Sequence, residues 1–354
     1  MEQIFVNASR KYQVAIGSGL LAQAGSLASK VLPACRVLIV TDETVARHYY
    51  EPVAASLTAC GFGVEKILLH AGEDVRELEC AERILNTMAN LELTSRDAVL
   101  ALGSGAVGDV AGFAASVYQR GIAFLAAPTT LRAAVDSSIG GRNGVSLARH
   151  ERVIGTLWQP KTVLYDLDTV ATLSSEQMSD GMAEIIKYAF ISDRSFFQQL
   201  HDGFDWSDGM SALERVVARC VRVKADYVMR DEVGDGMQRV LEIGKTVAKT
   251  AKYCDASLSH GACASIGLSV ITRAAERAGL CMPMSGELSR TLQRYQLPDG
   301  FDCSQQRFAE AFRRCVGAES ETMTLVLPRQ IGLVQMVDFT AAKALEFLSG
   351  GLQR

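Results

Sequence analysis

A glycine-rich stretch between two apolar runs constrains this chain more than any other feature. Residues 98–102 are all apolar, and the sequence GSGAVGD follows at residues 103–109. A short apolar run that ends at glycine is typical of a strand buried on both faces of a parallel sheet. Glycines between such a strand and a helix let the backbone approach a ligand, and the open N–H groups of the helix start favour a phosphate. The stretch therefore predicts a nucleotide-binding unit.

The residues that follow continue this pattern. Residues 110–117 are predicted to be helical, and a second apolar run at 122–127 ends in Pro128-Thr129-Thr130, with the pair Gly140-Gly141 soon after. Similar glycine spacings also occur in ordinary tight turns, but here three turns rich in glycine or hydroxyl groups fall within one block. The block differs from the common dinucleotide fingerprint because Asp109 directly follows its third glycine.

Length and patterning predict two domains. The chain has 354 residues, which exceeds the usual size of one hydrophobic core. Strand and helix signals alternate up to about residue 170, whereas helical periodicity dominates from residue 176 to about 280, with one short strand at 322–328. We therefore predict an α/β nucleotide-binding domain at residues 1–170 and a mainly α-helical domain at residues 171–354.

Charge and hydropathy limit the kinds of binding partner and the cellular compartment that we expect for this protein. The formal net charge of −4 and the pI near 5.8 argue against nucleic acid or an anionic membrane as the main partner. No apolar run has membrane-spanning length and the first residues do not look like a signal peptide, so we expect a cytoplasmic protein. Nine cysteines without CxxC spacing are predicted to be mainly small buried side chains in a reducing compartment.

Ionisable residues mark candidate sites in both predicted domains. The acidic residues Asp42 and Glu73 lie at the carboxyl ends of predicted strands. Ligands bind at these ends in open α/β sheets, so either carboxylate could contact a ribose or an adenine. Glu184 and Lys187 lie three positions apart on one helix face, which is also the pattern of an ordinary surface ion pair. His260 starts a predicted helix and is one of only five histidines.

The order of the motifs resembles the dehydroquinate synthase family of sugar phosphate cyclases. The motifs are GSGAVGDVAGF at 103–113, YQRGI at 118–122, PTTL at 128–131, VDSSIGG at 135–141, IGTLWQPKTVLYDLDT at 154–169 and GMAEIIKYAFISD at 181–193. The resemblance extends to about residue 330. It implies an NAD-binding domain, a helical domain and a homodimer. It also implies chemistry in which NAD oxidises a substrate hydroxyl, phosphate leaves, the ketone is reduced and the ring closes.

The resemblance assigns residues to NAD and to catalysis. The NAD positions are Asp42, Glu73, Arg76 in place of a lysine, Gly105, Ala106, Asp109, Thr129, Thr130, Asp136, Thr169, Thr172 and Leu173. The catalytic positions that are retained are Arg120, Asp136, Lys187 and Lys224. The family's metal site takes one glutamate and two histidines, which correspond here to Glu184, Lys245 and His260. Lys245 therefore occupies a ligand position, although a protonated amine cannot bind a metal.

Further departures from the family pattern cluster near Lys245. The replacements are Lys249 for a histidine, Glu242 for an asparagine, Gln238 for an arginine, Ala262 for a glutamate, Arg142 for a lysine, and Glu151-Arg152 for a lysine-asparagine pair. Several of these positions hold the substrate's phosphate in the family. The pattern predicts an altered substrate or reaction. The many cations favour an anionic polyol, cyclitol or keto acid of a biosynthetic pathway.

Two accounts of Lys245 compete. In the one we favour, its ammonium pairs with Glu184 and the site holds no metal. In the other, a metal is held by Glu184, His260 and Cys263. Without a metal, Lys187, Lys245 or Lys249 could act as a base, as an electrostatic stabiliser of an alkoxide, or as an imine-forming amine.

Three functions remain open at the level of sequence. The first is an NAD-dependent cyclase-type enzyme with altered chemistry. The second is a catalytically silent homologue that keeps NAD and binds a ligand or a partner. The third is a genuine 3-dehydroquinate synthase with unusual site residues.

Overall fold

A computed structural model describes residues 1–148, 150–203, 209–316 and 322–352, except for the side chain of Glu73. Internal contacts divide the chain into two compact units. The first unit contains Met1–Leu173 and Trp206–Val233, and the second contains Ser174–Asp205 and Gly234–Arg354. The units differ from the predicted domains 1–170 and 171–354 in the assignment of residues 171–173 and 206–233.

The first unit is built on a seven-stranded sheet with the order β1-β2-β9-β6-β5-β3-β4. The strands are β1 (Glu2–Asn7), β2 (Lys11–Gly17), β3 (Arg36–Asp42), β4 (Gly63–Leu69), β5 (Ala98–Gly103), β6 (Ala123–Pro128) and β9 (Thr162–Asp166). β1 runs antiparallel to β2, and the remaining neighbours are parallel. All six residues of β5 are buried, as expected for a central parallel strand.

Helices and one hairpin complete the first unit. The helices are α1 (Ala24–Ala28), α2 (Glu43–Ala59), α3 (Leu78–Asn90), α4 (Gly105–Val117) and α7 (Met210–Arg230), and the hairpin joins β7 (Arg142–Leu147) to β8 (His150–Leu157). The face of α7 with Val217 and Val221 is buried, and α7 contacts β1 and the π-helical turn Ala133–Ser137. Helical periodicity predicted α7 but could not reveal which unit its apolar face packs against.

The second unit is mainly helical. Its helices are α5 (Ser175–Ser192), α6 (Arg194–Asp202), α8 (Lys245–Cys254), α9 (His260–Arg277), α10 (Ser285–Arg294), α11 (Gln305–Val316) and α12 (Ala341–Leu352). The predicted strand at 322–328 is present as β10 (Thr322–Gln330), and it pairs with β11 (Leu333–Thr340), which was not predicted. The predicted fold class is confirmed. Across the described ranges, the helices are too short or too polar to span a bilayer.

Candidate functional site

The glycine-rich block opens onto a cavity in the first unit. β5 ends at Gly103 and α4 begins at Gly105, while Ser104 makes no side-chain capping hydrogen bond to the helix. The cavity has an empty volume of about 390 Å³. Its lining includes Gly103, Ser104, Gly105, Gly108, Pro128, Ser137, Ser138, Gly141 and Asn143. The first N–H groups of an α-helix have no partner within the helix, so this helix start can receive an anion.

Three buried hydroxyls lie in the same region. Among the residues that the structure describes, Thr129 Oγ1, Ser137 Oγ and Ser138 Oγ have no hydrogen-bond partner. Ser137 and Ser138 line the cavity, and Thr129 follows β6. Buried polar groups without a partner are rare and costly, so these hydroxyls are suited to hold a polar ligand. The sequence predicted Thr129 but missed the two serines, whose orientation depends on the π-helical turn.

The predicted Gly105 permits close packing at this helix start. A Cβ added to Gly105 would lie 2.5 Å from Ser137 Oγ. Gly112 on the same helix is equally constrained, because its Cβ would lie 2.0 Å from Asn143 Oδ1. At these two glycines the backbone of α4 therefore lies in close contact with the side chains of Ser137 and Asn143.

Asp109 is buried between two arginines. Arg76 Nε lies 2.7 Å from Asp109 Oδ2, and Arg152 Nη2 pairs with the same oxygen. Burial lowers the pKa of the Arg76 guanidinium, while Asp109 acts in the opposite direction. The predicted NAD-site residues Arg76 and Asp109 are thus brought together. The ion pair with Arg152 could not be read from the sequence, because 43 positions separate the partners.

Other predicted NAD positions make internal contacts. Asp42 caps α2, since its Oδ1 accepts hydrogen bonds of 2.9 Å from the N–H groups of Thr44 and Val45. Thr172 Oγ1 lies 2.7 Å from the Tyr49 hydroxyl, and buried Thr169 donates to the Asp166 carbonyl. These contacts are sufficient to explain the three residues structurally.

The remaining predicted NAD positions make local contacts or are buried. Thr130 Oγ1 accepts a 3.2 Å hydrogen bond from the Ala133 N–H. Ala106 is buried in α4, and Leu173 follows the 3₁₀ turn Leu167–Thr172. The side chain of Glu73 lies outside the described part of the structure.

The predicted catalytic residues of the first unit are partly assembled. Lys224 Nζ on α7 lies 2.7 Å from Asp136 Oδ1. Arg142 Nη2 donates to the carbonyl oxygen of Val233. Arg120 is exposed and has a left-handed backbone with φ of 61°. Asp136 and Lys224 therefore form a pair.

Glu184 is the centre of a second group, in the second unit. Its side chain on α5 is 3% exposed, and its carboxylate pairs with Lys187 Nζ. His260 Nε2 lies 3.0 Å from Glu184 Oε1, so a proton on this nitrogen is donated to the carboxylate. The start of α9 is held by Asp180, which accepts 2.6 Å hydrogen bonds from Ser259 Oγ and the Gly261 N–H. The structure brings Glu184, Lys187 and His260 together.

The predicted pairing of Lys245 with Glu184 is wrong. Lys245 Nζ instead lies 2.5 Å from Glu242 Oε1, and both side chains are about half exposed. Glu242 ends a 3₁₀ turn and Lys245 begins α8, so the two are adjacent across Gly244. Glu184 already has two cationic or potentially cationic neighbours, Lys187 and His260. Glu242 therefore neutralises the lysine, a role that the sequence interpretation did not give it.

A second cavity lies beside this ion pair. Its empty volume is about 440 Å³, and its lining includes Arg239, Glu242, Lys245, Thr246 and residues 324–326 of β10. Lys249, one turn further along α8, is exposed. Lys245 and Lys249 thus lie one turn apart on one helix, as predicted, and both are exposed.

The residues at the family's three metal-ligand positions do not all supply a metal donor. Lys245 supplies no lone pair while it is protonated. Burial raises the pKa of the Cys263 thiol to about 11. Throughout the described ranges, His, Cys, Asp and Glu side chains form no group of three that could hold a metal. Of the three ligand positions, Glu184 and His260 lie together, whereas Lys245 pairs with Glu242.

Comparison with known proteins agrees with the sequence motifs. The family described as 3-dehydroquinate synthase N-terminal matches residues 66–180, and the family described as 3-dehydroquinate synthase C-terminal matches residues 181–315. The 3-dehydroquinate synthase of Enterococcus faecalis is 34% identical over 352 residues, covering 97% of this chain and 98% of that protein.

Two solved structures share the fold of this chain. The 2-epi-5-epi-valiolone synthase ValA of Streptomyces hygroscopicus, solved with NAD+ and Zn2+ bound, has a TM-score of 0.86 and 25% identity, with 98% of each chain covered. A 2-deoxy-scyllo-inosose synthase complexed with carbaglucose-6-phosphate, NAD+ and Co2+ has a TM-score of 0.85 at 19% identity, covering 99% of this chain and all of that one, and shows the shared fold alone. The chain belongs to the 3-dehydroquinate synthase family, within the sugar phosphate cyclases.

Proposed function

We propose that this protein is an NAD-dependent enzyme of the sugar phosphate cyclase type with an altered substrate or reaction. The observation that carries the NAD assignment is the cavity at the start of α4, with buried hydroxyls that have no partner among the described residues. The N–H groups of that helix start would hold the pyrophosphate, and Thr129, Ser137 and Ser138 would donate to the cofactor. When bound, NAD accepts a hydride from a substrate alcohol and returns it.

The charged groups support an anionic polyol, cyclitol or keto acid as the substrate. Lys224 is oriented by Asp136 in the first unit, and Lys187 is oriented by Glu184 in the second. Lys249 adds accessible positive charge on α8, where Lys245 is paired with Glu242. Each lysine can stabilise a developing alkoxide or hold an anionic substituent. We further propose that the protein is a cytoplasmic homodimer, as in the family to which it belongs.

The proposed enzyme works without a catalytic metal. Support comes from the donor set, because the family's middle ligand position carries Lys245, which is paired with Glu242. We expect the purified protein to contain no stoichiometric zinc by elemental analysis. Lys245→His restores a nitrogen donor and is expected to bind zinc, while Lys249→His, one turn away, serves as the control. One zinc per wild-type chain that resists mild chelation would contradict the proposal.

The cofactor assignment is tested with Ser138→Ala. The substitution removes a buried hydroxyl without a described partner, so it should leave the NAD-free protein as stable as before or more stable. It should also weaken NAD binding by about tenfold, because the variant loses one hydrogen bond to the cofactor. Calorimetric titration and thermal unfolding measure the two effects. The control is Ser269→Ala on α9, which also removes a buried hydroxyl without a partner among the described residues. Ser269 is far from the glycine-rich block in sequence, so this substitution should leave NAD affinity unchanged.

Two assays separate the alternatives. Addition of anionic sugars, cyclitols and keto acids to the NAD-bound protein should produce the absorbance of the reduced cofactor with at least one of them. No response across the set, despite tight NAD binding, would favour a catalytically silent homologue. Growth of a strain that lacks 3-dehydroquinate synthase, when supplied with this chain, would instead establish the ordinary family reaction.

A further inference from the structure

Two cysteine sulfurs approach each other in the second unit. Cys254 Sγ and Cys303 Sγ lie 3.3 Å apart, although the residues are 49 positions apart in the chain. Cys254 is the last residue of α8, and Cys303 lies in the irregular segment before α11. Since a disulfide is about 2.05 Å long, the sulfurs need to approach by only about 1.2 Å. Rotation of the two side chains and a small shift of the irregular segment can supply this movement.

The surroundings distinguish the two thiols. Cys254 is 4% exposed, and burial raises the pKa of its thiol to about 12. Cys303 is partly exposed, so a dissolved oxidant reaches it first. Arg307 holds Cys254 in place, because its guanidinium donates to the Cys254 carbonyl oxygen and its own carbonyl lies 3.9 Å from Cys254 Sγ. The partly exposed thiol of Cys303 therefore lies next to the buried thiol of Cys254.

We propose that Cys254 and Cys303 form a reversible disulfide in response to a peroxide. The sulfur of Cys303 attacks one peroxide oxygen, which gives a sulfenic acid and releases one water. The sulfur of Cys254 then displaces the hydroxyl group, which forms the S–S bond and releases a second water. Two thiols are oxidised and one peroxide is reduced. A dithiol reductant reverses the reaction by exchange.

The disulfide would connect two elements of the helical unit. It would join the last residue of α8 to the segment that leads into α11, and these helices already pack together. Because α8 also carries Lys245 and Lys249, oxidation would restrict the helix that bears both lysines.

The test uses the full chain and hydrogen peroxide. After treatment, titration in urea should find seven thiols where the reduced chain has nine. Digestion with trypsin and with a protease that cleaves before aspartate separates Cys254 from Cys263, because Asp255 follows Cys254. Mass spectrometry should then show a Cys254–Cys303 linked peptide two hydrogens lighter than the sum of its parts. Dithiothreitol should restore the nine thiols.

Matched variants complete the test. Cys303→Ser should abolish the linked peptide and the loss of two thiols. Cys60→Ser replaces an exposed cysteine of the first unit and should leave both intact. The wild-type peptide map decides the proposal even if Cys303→Ser folds poorly. A Cys254–Cys315 linkage, oxidation of Cys303 to sulfinic acid without a linked peptide, or retention of all nine thiols would each overturn it.

Discussion

At the scale of single residues, Asp97 shows how one buried carboxylate ties a turn to the sheet. Its oxygens accept hydrogen bonds from the N–H and hydroxyl of Thr94 and from the N–H and guanidinium of Arg36. Burial acts to raise the pKa of Asp97, but these hydrogen bonds outweigh burial and hold the pKa below its ordinary value. The carboxylate is therefore favoured in the folded state.

We expect Asp97→Asn to lower the free energy of unfolding by about 1–2 kcal/mol at pH 7. Because the folded pKa is depressed, the contribution of the carboxylate is complete above its ordinary pKa of about 4 and is lost as the pH falls through the folded pKa. Urea denaturation at pH 7, 5 and 3.5 should show the difference from wild type shrinking at the lowest pH. Asp235→Asn, at an exposed carboxylate, serves as the control. A difference that is independent of pH would contradict this account.

At the scale of elements, the close approach of α8 and α9 determines where Lys245 lies. Gly244 has φ of 75°, and a Cβ added to Gly267 would lie 2.4 Å from the Gly244 carbonyl oxygen. No side chain fits between these backbones without moving them. The glycine pair thus holds the start of α8 against α9.

Gly267→Ala should destabilise the protein by about 1–3 kcal/mol, since the added methyl group must displace the start of α8. Gly350→Ala on α12 is the matched control, because a Cβ there meets nothing within 4 Å. The control should be neutral or slightly stabilising, as alanine is a better helix former than glycine. Thermal unfolding of both variants measures the difference. Equal stabilities would show that α8 and α9 are not in backbone contact.

At the scale of the whole molecule, the prediction that can be measured directly is the oligomeric state. One chain has a mass of 38.2 kDa, so the proposed homodimer should sediment at about 76 kDa. Analytical ultracentrifugation over a range of protein concentrations checks this, with NAD present and absent. A single species at the monomer mass at micromolar concentration would contradict the proposal.

The patterns that the sequence reveals are local ones. Apolar runs, glycine spacing and helical periodicity predicted β5, α4, β6 and the mainly helical second half, because burial on one or two faces leaves a regular signature. The β7–β8 hairpin and β11 were missed. Much of β8 is exposed and β11 is partly exposed, so they lack the continuous apolar run that marks a buried strand.

Sequence by itself determined the family, the α/β and helical halves and the nucleotide-binding block, because these depend on neighbouring residues and on motif order. Only the tertiary structure decided which charges and thiols meet. It paired Lys245 with Glu242 instead of Glu184, assigned α7 to the first unit, left Ser137 and Ser138 beside a cavity, and brought Cys254 to Cys303. Such contacts depend on how elements pack in space, and spacing along the chain carries no record of that geometry.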